Sequence, residues 1–297
     1  MNKFFEKYNF SLDVEKNGRS LEILSSGLES LMTPAKLRTC FSLMDLTTLR
    51  ANDTAASVRA LVEKVNSLKT AFPDYPLPAS VCVYPNFASV VRDAREDANL
   101  HVTTVAGCFP SSQSFISVKA KECAMAVEAG ADEIDIVLAL NYFLAGDFDA
   151  AEAEIVEMRK AIDEAGAKVG RKVILKVILE TGLLSTGENV ATASLLAMEA
   201  GADFIKTSTG KVEVNATPAA ALVMCQAIAA YYAKTGRKVG FKAAGGISNA
   251  KDAICYYSIV ENVLGEEWLN KNLFRFGVSR LGNSLMSGIE QKTISFF

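Results

Sequence analysis

Residues 172–208 read KVILKVILETGLLSTGENVATASLLAMEAGADFIKTS, and the fold can be read outward from them. KVILKVILE (172–180) is short and rich in branched aliphatics, the pattern of a strand buried on both faces. ENVATASLLAMEAG (188–201) turns helical and closes on Gly201, a residue that takes the left-handed backbone of a helix C-terminus at little cost. ADFIKTS (202–208) is a second short apolar run. Strand, helix and strand in this order make a crossover between parallel neighbours.

The same alternation recurs on both sides. Further strand candidates are FSLMDL (41–46), ASVCVY (79–84), HVTTVAG (101–107), DEIDIVL (132–138), KVGFKA (238–243) and LFRFGV (273–278), which brings the total to eight. Stretches such as SFISVKAKECAMAVEAG separate them, and helices are expected to end at Gly130 and Gly236 as well. Repeated strand–helix units demand a parallel sheet, and eight of them favour closure over an open doubly wound sheet. No GxGxxG follows the first strand, which counts against a dinucleotide fold. The reading is therefore α/β, a single (β/α)8 TIM barrel over residues 41–297. Residues 1–40 form an N-terminal helical extension, expected to cap the barrel's N-terminal side. No Pro- or Ser-rich linker divides the chain.

Composition bounds the partners. The 297 residues are 50% hydrophobic and 22% charged, with net charge −3. That is ordinary globular composition without a basic footprint for nucleic acid or an anionic membrane. Six scattered cysteines with no CxxC pair read as reduced thiols in a cytoplasmic protein. The first residues lack the long apolar run of a signal peptide, and the longest apolar stretch, Ala219–Ala233, contains Gln226 and is too short to span a bilayer. His101 is the single histidine, so a multi-histidine zinc site is impossible and no metal is expected. It opens the third strand at the N-terminal face and is given no chemistry.

Strand parity then sorts the charges. Ile134, Ile136 and Leu138 share one face, which turns Glu133 and Asp135 the other way. Leu175, Val177 and Leu179 likewise turn Lys176 and Glu180 inward; Ile205 turns Lys206 inward, and Phe241 turns Lys242 inward. Asp45 follows the same logic in SLMDL. Charges inside a packed barrel cost several kcal/mol each unless paired or used, and at the C-terminal mouth they mark catalysis more often than structure.

Lys206 and Lys242 sit on successive strands, about 4.8 Å apart. Two ammonium groups about 5 Å apart repel by roughly 3 kcal/mol at an effective dielectric near 20, which depresses one pKa by about two units. Carboxylates nearby oppose that shift. A neutral amine is what attack on a carbonyl requires. By parity alone the nucleophile stays open between Lys206, Lys176 and Lys242. TSTGK (207–211) after Lys206 is the more suggestive neighbourhood.

Three loops on the same rim suit a phosphate: Thr209-Gly210-Lys211, Ala244-Gly245-Gly246 and Gly277-Val278-Ser279-Arg280. Glycines let backbone N–H groups approach an anion, and barrels often bind phosphate between loops 7 and 8.

From Leu43 to Leu285 the chain resembles the 2-deoxyribose-5-phosphate aldolases, a class I aldolase family. The resemblance is carried by LMDLTTL (43–49), VCVYPNF (81–87), EIDIVL (133–138), LKVILETG (175–182), AGADFIKTSTGKVEVNATP (200–218), VGFKAAGGI (239–247) and FRFGVS (274–279). It implies Lys206 as the Schiff-base lysine, Lys242 as its pKa-lowering neighbour, Asp135 as the acid/base aspartate and Asp45 as a supporting carboxylate. It places the substrate phosphate at Lys211, Gly245, Gly246 and Ser279. The implied partners are a small phosphorylated sugar and aldehydes, with neither metal nor coenzyme; a homodimer stays open. The chain departs from the family in Ala243-Ala244 before Gly245-Gly246, in Arg280 where a serine is common, and in ending Ile294-Ser295-Phe296-Phe297 without a terminal Tyr. Arg280 is read as an extra phosphate contact. The competing readings are another sugar-phosphate aldolase or isomerase on the same barrel, and a silent sugar-phosphate-binding barrel.

Overall fold

The computed structural model describes residues 2–297. Eight parallel strands close into a barrel in sequence order. They are β1 (Met44–Thr47), β2 (Ser80–Val83), β3 (His101–Val105), β4 (Glu133–Val137), β5 (Ile174–Ile178), β6 (Phe204–Lys206), β7 (Gly240–Ala244) and β8 (Phe274–Val278). The barrel closes through Asp45 opposite Gly277 on β1 and β8. All eight expected strands are present, so the (β/α)8 TIM barrel read from the sequence is the fold.

Outward residues of the strands cement the helices. Ile134, Ile136, Leu175, Val177, Leu179, Ile205 and Phe241 are fully buried in one continuous apolar cluster with the surrounding helices. The helix Pro218–Thr235 shows how local sequence sets its ends. Thr217 caps it by accepting from the Ala220 N–H, Pro218 occupies the first turn, and Gly236 terminates it at φ 70°.

Most strand ends differ by one to three residues from the sequence reading, and two of the shifts stand out. Residues 41–42 end a helix, Pro34–Ser42, instead of opening β1, because Thr33 caps it and Pro34 starts it. Glu180 lies beyond β5 in a left-handed turn at φ 56°. The helices Lys3–Tyr8, Val14–Leu31 and Pro34–Ser42 precede β1. Tyr8 packs on Tyr231 with ring centroids 5.3 Å apart, Asn17 exchanges hydrogen bonds with Gln226, and Lys36 pairs with Glu261 at 2.7 Å. These contacts are with the barrel's flank, over the helices Pro218–Thr235 and Ala250–Leu264, whereas the expectation was the N-terminal face.

Candidate active site

The inward parity of β1, β4, β5, β6 and β7 brings Asp45, Glu133, Asp135, Lys176, Lys206 and Lys242 into one buried cluster. Asp135 is its hub. One carboxylate oxygen, Oδ2, accepts from Lys206 Nζ and from Lys242 Nζ, each at 2.8 Å, and Oδ1 accepts from Lys176 Nζ at 2.9 Å. Asp45 accepts from Lys242 at 2.5 Å and from Arg275 at 2.5 Å. Glu133 holds Arg275 at 2.7 Å, Lys176 at closer range, and the His101 ring at 2.6 Å.

The three lysines differ in what this does to them. At Lys242 burial disfavours the charge, but Asp135 and Asp45 outweigh it and the pKa is raised. The same balance, with Asp135 and Glu133 as partners, raises Lys176. Lys206 goes the other way: burial comes first, Asp135 opposes it, the charge on Lys242 adds to it, and the pKa is lowered. The sequence reading put charge repulsion first, whereas desolvation leads here. Burial opposes ionisation of Asp135 too, yet Lys176, Lys206 and Lys242 hold its carboxyl far below the usual carboxylate range.

Above the cluster opens a cavity of about 500 Å³ at the C-terminal ends of the strands. Of the three inward lysines only Lys206 lines it. Thr209, Gly210, Lys211, Gly245, Gly246, Ser279 and Arg280 all line it as well, so the residues expected to hold phosphate share one cavity with the lysine expected to react. Gly245 and Gly246 take φ 86° and 83°, a region costly for other residues. A Cβ on Gly245 would also come within 2.7 Å of the Asn215 side chain. Among the described residues no acceptor takes the N–H groups of Gly245, Gly246 or Ser279. The Ser279 and Arg280 side chains are exposed just before the helix Leu281–Glu290.

Loop 6, the segment after β6 that carries Thr209-Gly210-Lys211, is less available than expected. Thr209 donates its N–H and its hydroxyl to Glu180, at 3.1 and 2.5 Å, and Lys211 Nζ donates to the Leu49 carbonyl at 2.5 Å. Thr209 therefore braces the loop. Cys82 is fully buried beside Leu49 and Val105, and burial pushes its thiol pKa up, in keeping with a packing role. Among the described residues no three His, Cys, Asp or Glu side chains converge as a metal site.

Arg275, Arg50 and the bracing role of Glu180 were not read from the sequence. Arg275 had a signal: Phe274, Phe276 and Val278 share one parity in FRFGV, which turns Arg275 inward. Arg50, in the loop after β1, lines the mouth cavity and carried no pattern of its own.

Comparison with known proteins adds to this geometry. The sequence profile of the DeoC/LacD family aldolases matches residues 39–255. The chain belongs to that family. It is an aldolase, and hence a lyase. Human deoxyribose-phosphate aldolase is 41% identical over 267 residues, covering 84% of this chain and 78% of its own. The mouse deoxyribose-phosphate aldolase is 43% identical over 259 residues, with the same coverage of 84% and 78%. Among solved structures, the tetrameric deoxyribose phosphate aldolase of Aeropyrum pernix superposes with TM-score 0.66 at 26% identity, covering 89% of this aldolase and 96% of its own chain.

Proposed function

We propose that this aldolase reversibly cleaves 2-deoxy-D-ribose 5-phosphate to acetaldehyde and D-glyceraldehyde 3-phosphate through a Schiff base on Lys206. One observation carries the choice of lysine: Lys206 alone of the three lysines inside the barrel both lines the mouth cavity and has its pKa lowered. The neutral amine adds to the C1 carbonyl, water leaves, and the iminium draws electrons from the C2–C3 bond as the C3 hydroxyl gives up its proton. Glyceraldehyde 3-phosphate departs; the enamine left behind is protonated at carbon and hydrolysed to acetaldehyde. Asp135, an ionised carboxylate within 2.8 Å of the reacting nitrogen, is the partner for the iminium charge and, with water, for the protons. Asp45 holds Lys242 in place through its 2.5 Å contact.

The phosphate belongs in the same cavity, at the loops that follow β6, β7 and β8. The N–H groups of Gly245, Gly246 and Ser279 and the cations Lys211 and Arg280 suit a dianion, and a helix N-terminus adds partial positive charge. Arg50 on the same cavity adds a third cation. A cytoplasmic location, a homodimer, and division into an extension (1–40) and a catalytic barrel (41–297) belong to the same proposal. Among the described residues no helix is long and apolar enough to cross a membrane.

The test is trapping. Borohydride with acetaldehyde or deoxyribose 5-phosphate should inactivate the enzyme and add one reduced ligand mass per chain, on the peptide containing Lys206. Labelling at Lys176 or Lys242 would overturn the assignment of roles. Activity surviving in Lys206→Ala would end the Schiff-base reading.

A further inference from the structure

The interior of the barrel is not charge-balanced. Four basic side chains, Lys176, Lys206, Lys242 and Arg275, face three carboxylates, Asp45, Glu133 and Asp135. Arg275 makes the difference. It sits at the end of the barrel away from the mouth, where its Nε donates to the Lys271 carbonyl in the loop before β8. Its two terminal nitrogens hold Asp45 and Glu133, and its guanidinium lies 5.8 Å from the Phe204 ring centroid. An arginine does not give up its proton in a protein. One of the three lysines must then absorb the imbalance.

We infer that Arg275 is a positioning residue that keeps Lys206 neutral by fixing one surplus positive charge inside the barrel. Its guanidinium occupies Asp45 and Glu133, the partners that would otherwise serve the lysines. Lys242 retains Asp45 and Asp135, and Lys176 retains Glu133 and Asp135. Lys206 has Asp135 alone, on an oxygen already taken by Lys242. It is the lysine with fewest anions and the one that opens on the cavity, so the proton leaves from there. The inference rests on Lys206 being the reacting lysine.

Register sets the scale. Lys206 pairs with Lys242 and Lys242 with Arg275 across β6, β7 and β8, which separates Lys206 from Arg275 by two strand spacings, about 10 Å. A unit charge at that distance, at an effective dielectric near 20, moves a lysine pKa by about one unit. The other groups facing this cluster are the Cys82 thiol from β2 and His101 from β3, with Glu180 and Lys211 above at the rim. All four stay in place in the variants below.

The test is the pH dependence of acetaldehyde trapping at Lys206, read by intact mass from pH 6 to 10, with circular dichroism and thermal melts to show which variants fold. Arg275→Met should move the profile up by about one pH unit and slow trapping at pH 7 about tenfold. Glu133→Gln removes a carboxylate instead and should move it down. The double variant Arg275→Met/Glu133→Gln restores the surplus and should return close to the parent profile. Arg275→Lys keeps the charge without the two-pronged contact and should also stay close. A purely structural role predicts no such cancellation. The inference is overturned if folded Arg275→Met keeps the parent profile, if the double variant fails to return, or if Arg275→Lys shifts as far as Arg275→Met. Should Arg275→Met not fold, a Glu133→Gln profile that fails to move down overturns it equally. Absence of label from Lys206 in the parent enzyme would count against the Schiff-base reading instead.

Discussion

The deep and the mouth ends of the charged interior are built from the same residue types and behave oppositely. Around Glu133, the cations Lys176 and Arg275 each meet two or more carboxylates, and both have raised pKa values despite the desolvation that opposes their charge. At the mouth Lys206 is just as deeply buried, with 3% of its surface exposed, but shares a single carboxylate oxygen with Lys242. Burial alone therefore does not make a lysine nucleophilic. Burial with too few anions does. The deep end holds the geometry, and the mouth end holds the reactivity.

The largest contrast should come from the same substitution at the two ends. Lys206→Met is expected to lose at least roughly 10⁴-fold in kcat/KM. Its stability at pH 7 should hold or rise. The unfolded chain binds that lysine's proton more tightly than the folded one, so folding stability rises with pH between the lowered folded pKa and the ordinary value, and removing the lysine lifts that penalty at neutral pH. Lys176→Met should show the reverse pattern in stability, losing about 3–5 kcal/mol because two buried carboxylates lose a partner. Urea titration of both variants beside their rates checks this, and equal stability losses would dissolve the distinction.

A smaller effect probes the boundary between the two ends. Lys242 belongs to the deep pairing through Asp45 but touches the oxygen that Lys206 uses. In Lys242→Leu a neighbouring positive charge is gone, the Lys206 pKa rises, and less neutral amine is present at pH 7. The rate there should fall about tenfold and recover partly toward pH 9. A profile unchanged from pH 6 to 10 at full activity would remove Lys242 from the chemistry.

The smallest effect concerns the mouth alone. Arg280 is exposed on the cavity wall, so screening by solvent limits its contribution. Arg280→Ser should raise KM for deoxyribose 5-phosphate a few-fold, by about 1 kcal/mol, and leave KM for plain deoxyribose unchanged. Equal effects on both substrates would mean the guanidinium does not reach the phosphate.

Much of this was legible in the chain because strand alternation is a strictly local rule. A period of two assigns faces without knowledge of the partners, so Asp135, Lys176, Lys206 and Lys242 could be turned inward from ILKVIL, DFIKT and similar runs, and all four are inward. Arg275 obeyed the same rule in FRFGV and was overlooked there, though the signal was present. The end of the helix Pro34–Ser42 was not legible, because FSLMDL reads equally as apolar helix end or apolar strand until packing decides.

What local alternation does not contain is pairing between strands remote in the chain. The sequence by itself determined the eight units, the barrel and the inward charges, since each follows from periodicity within a few residues. Only the tertiary structure decided that Asp135 is shared by three lysines, that Arg275 takes Asp45 and Glu133, and that loop 6 is braced by Glu180. Protonation depends on the count and distance of every charge facing the same interior, and those are set when β8 closes onto β1.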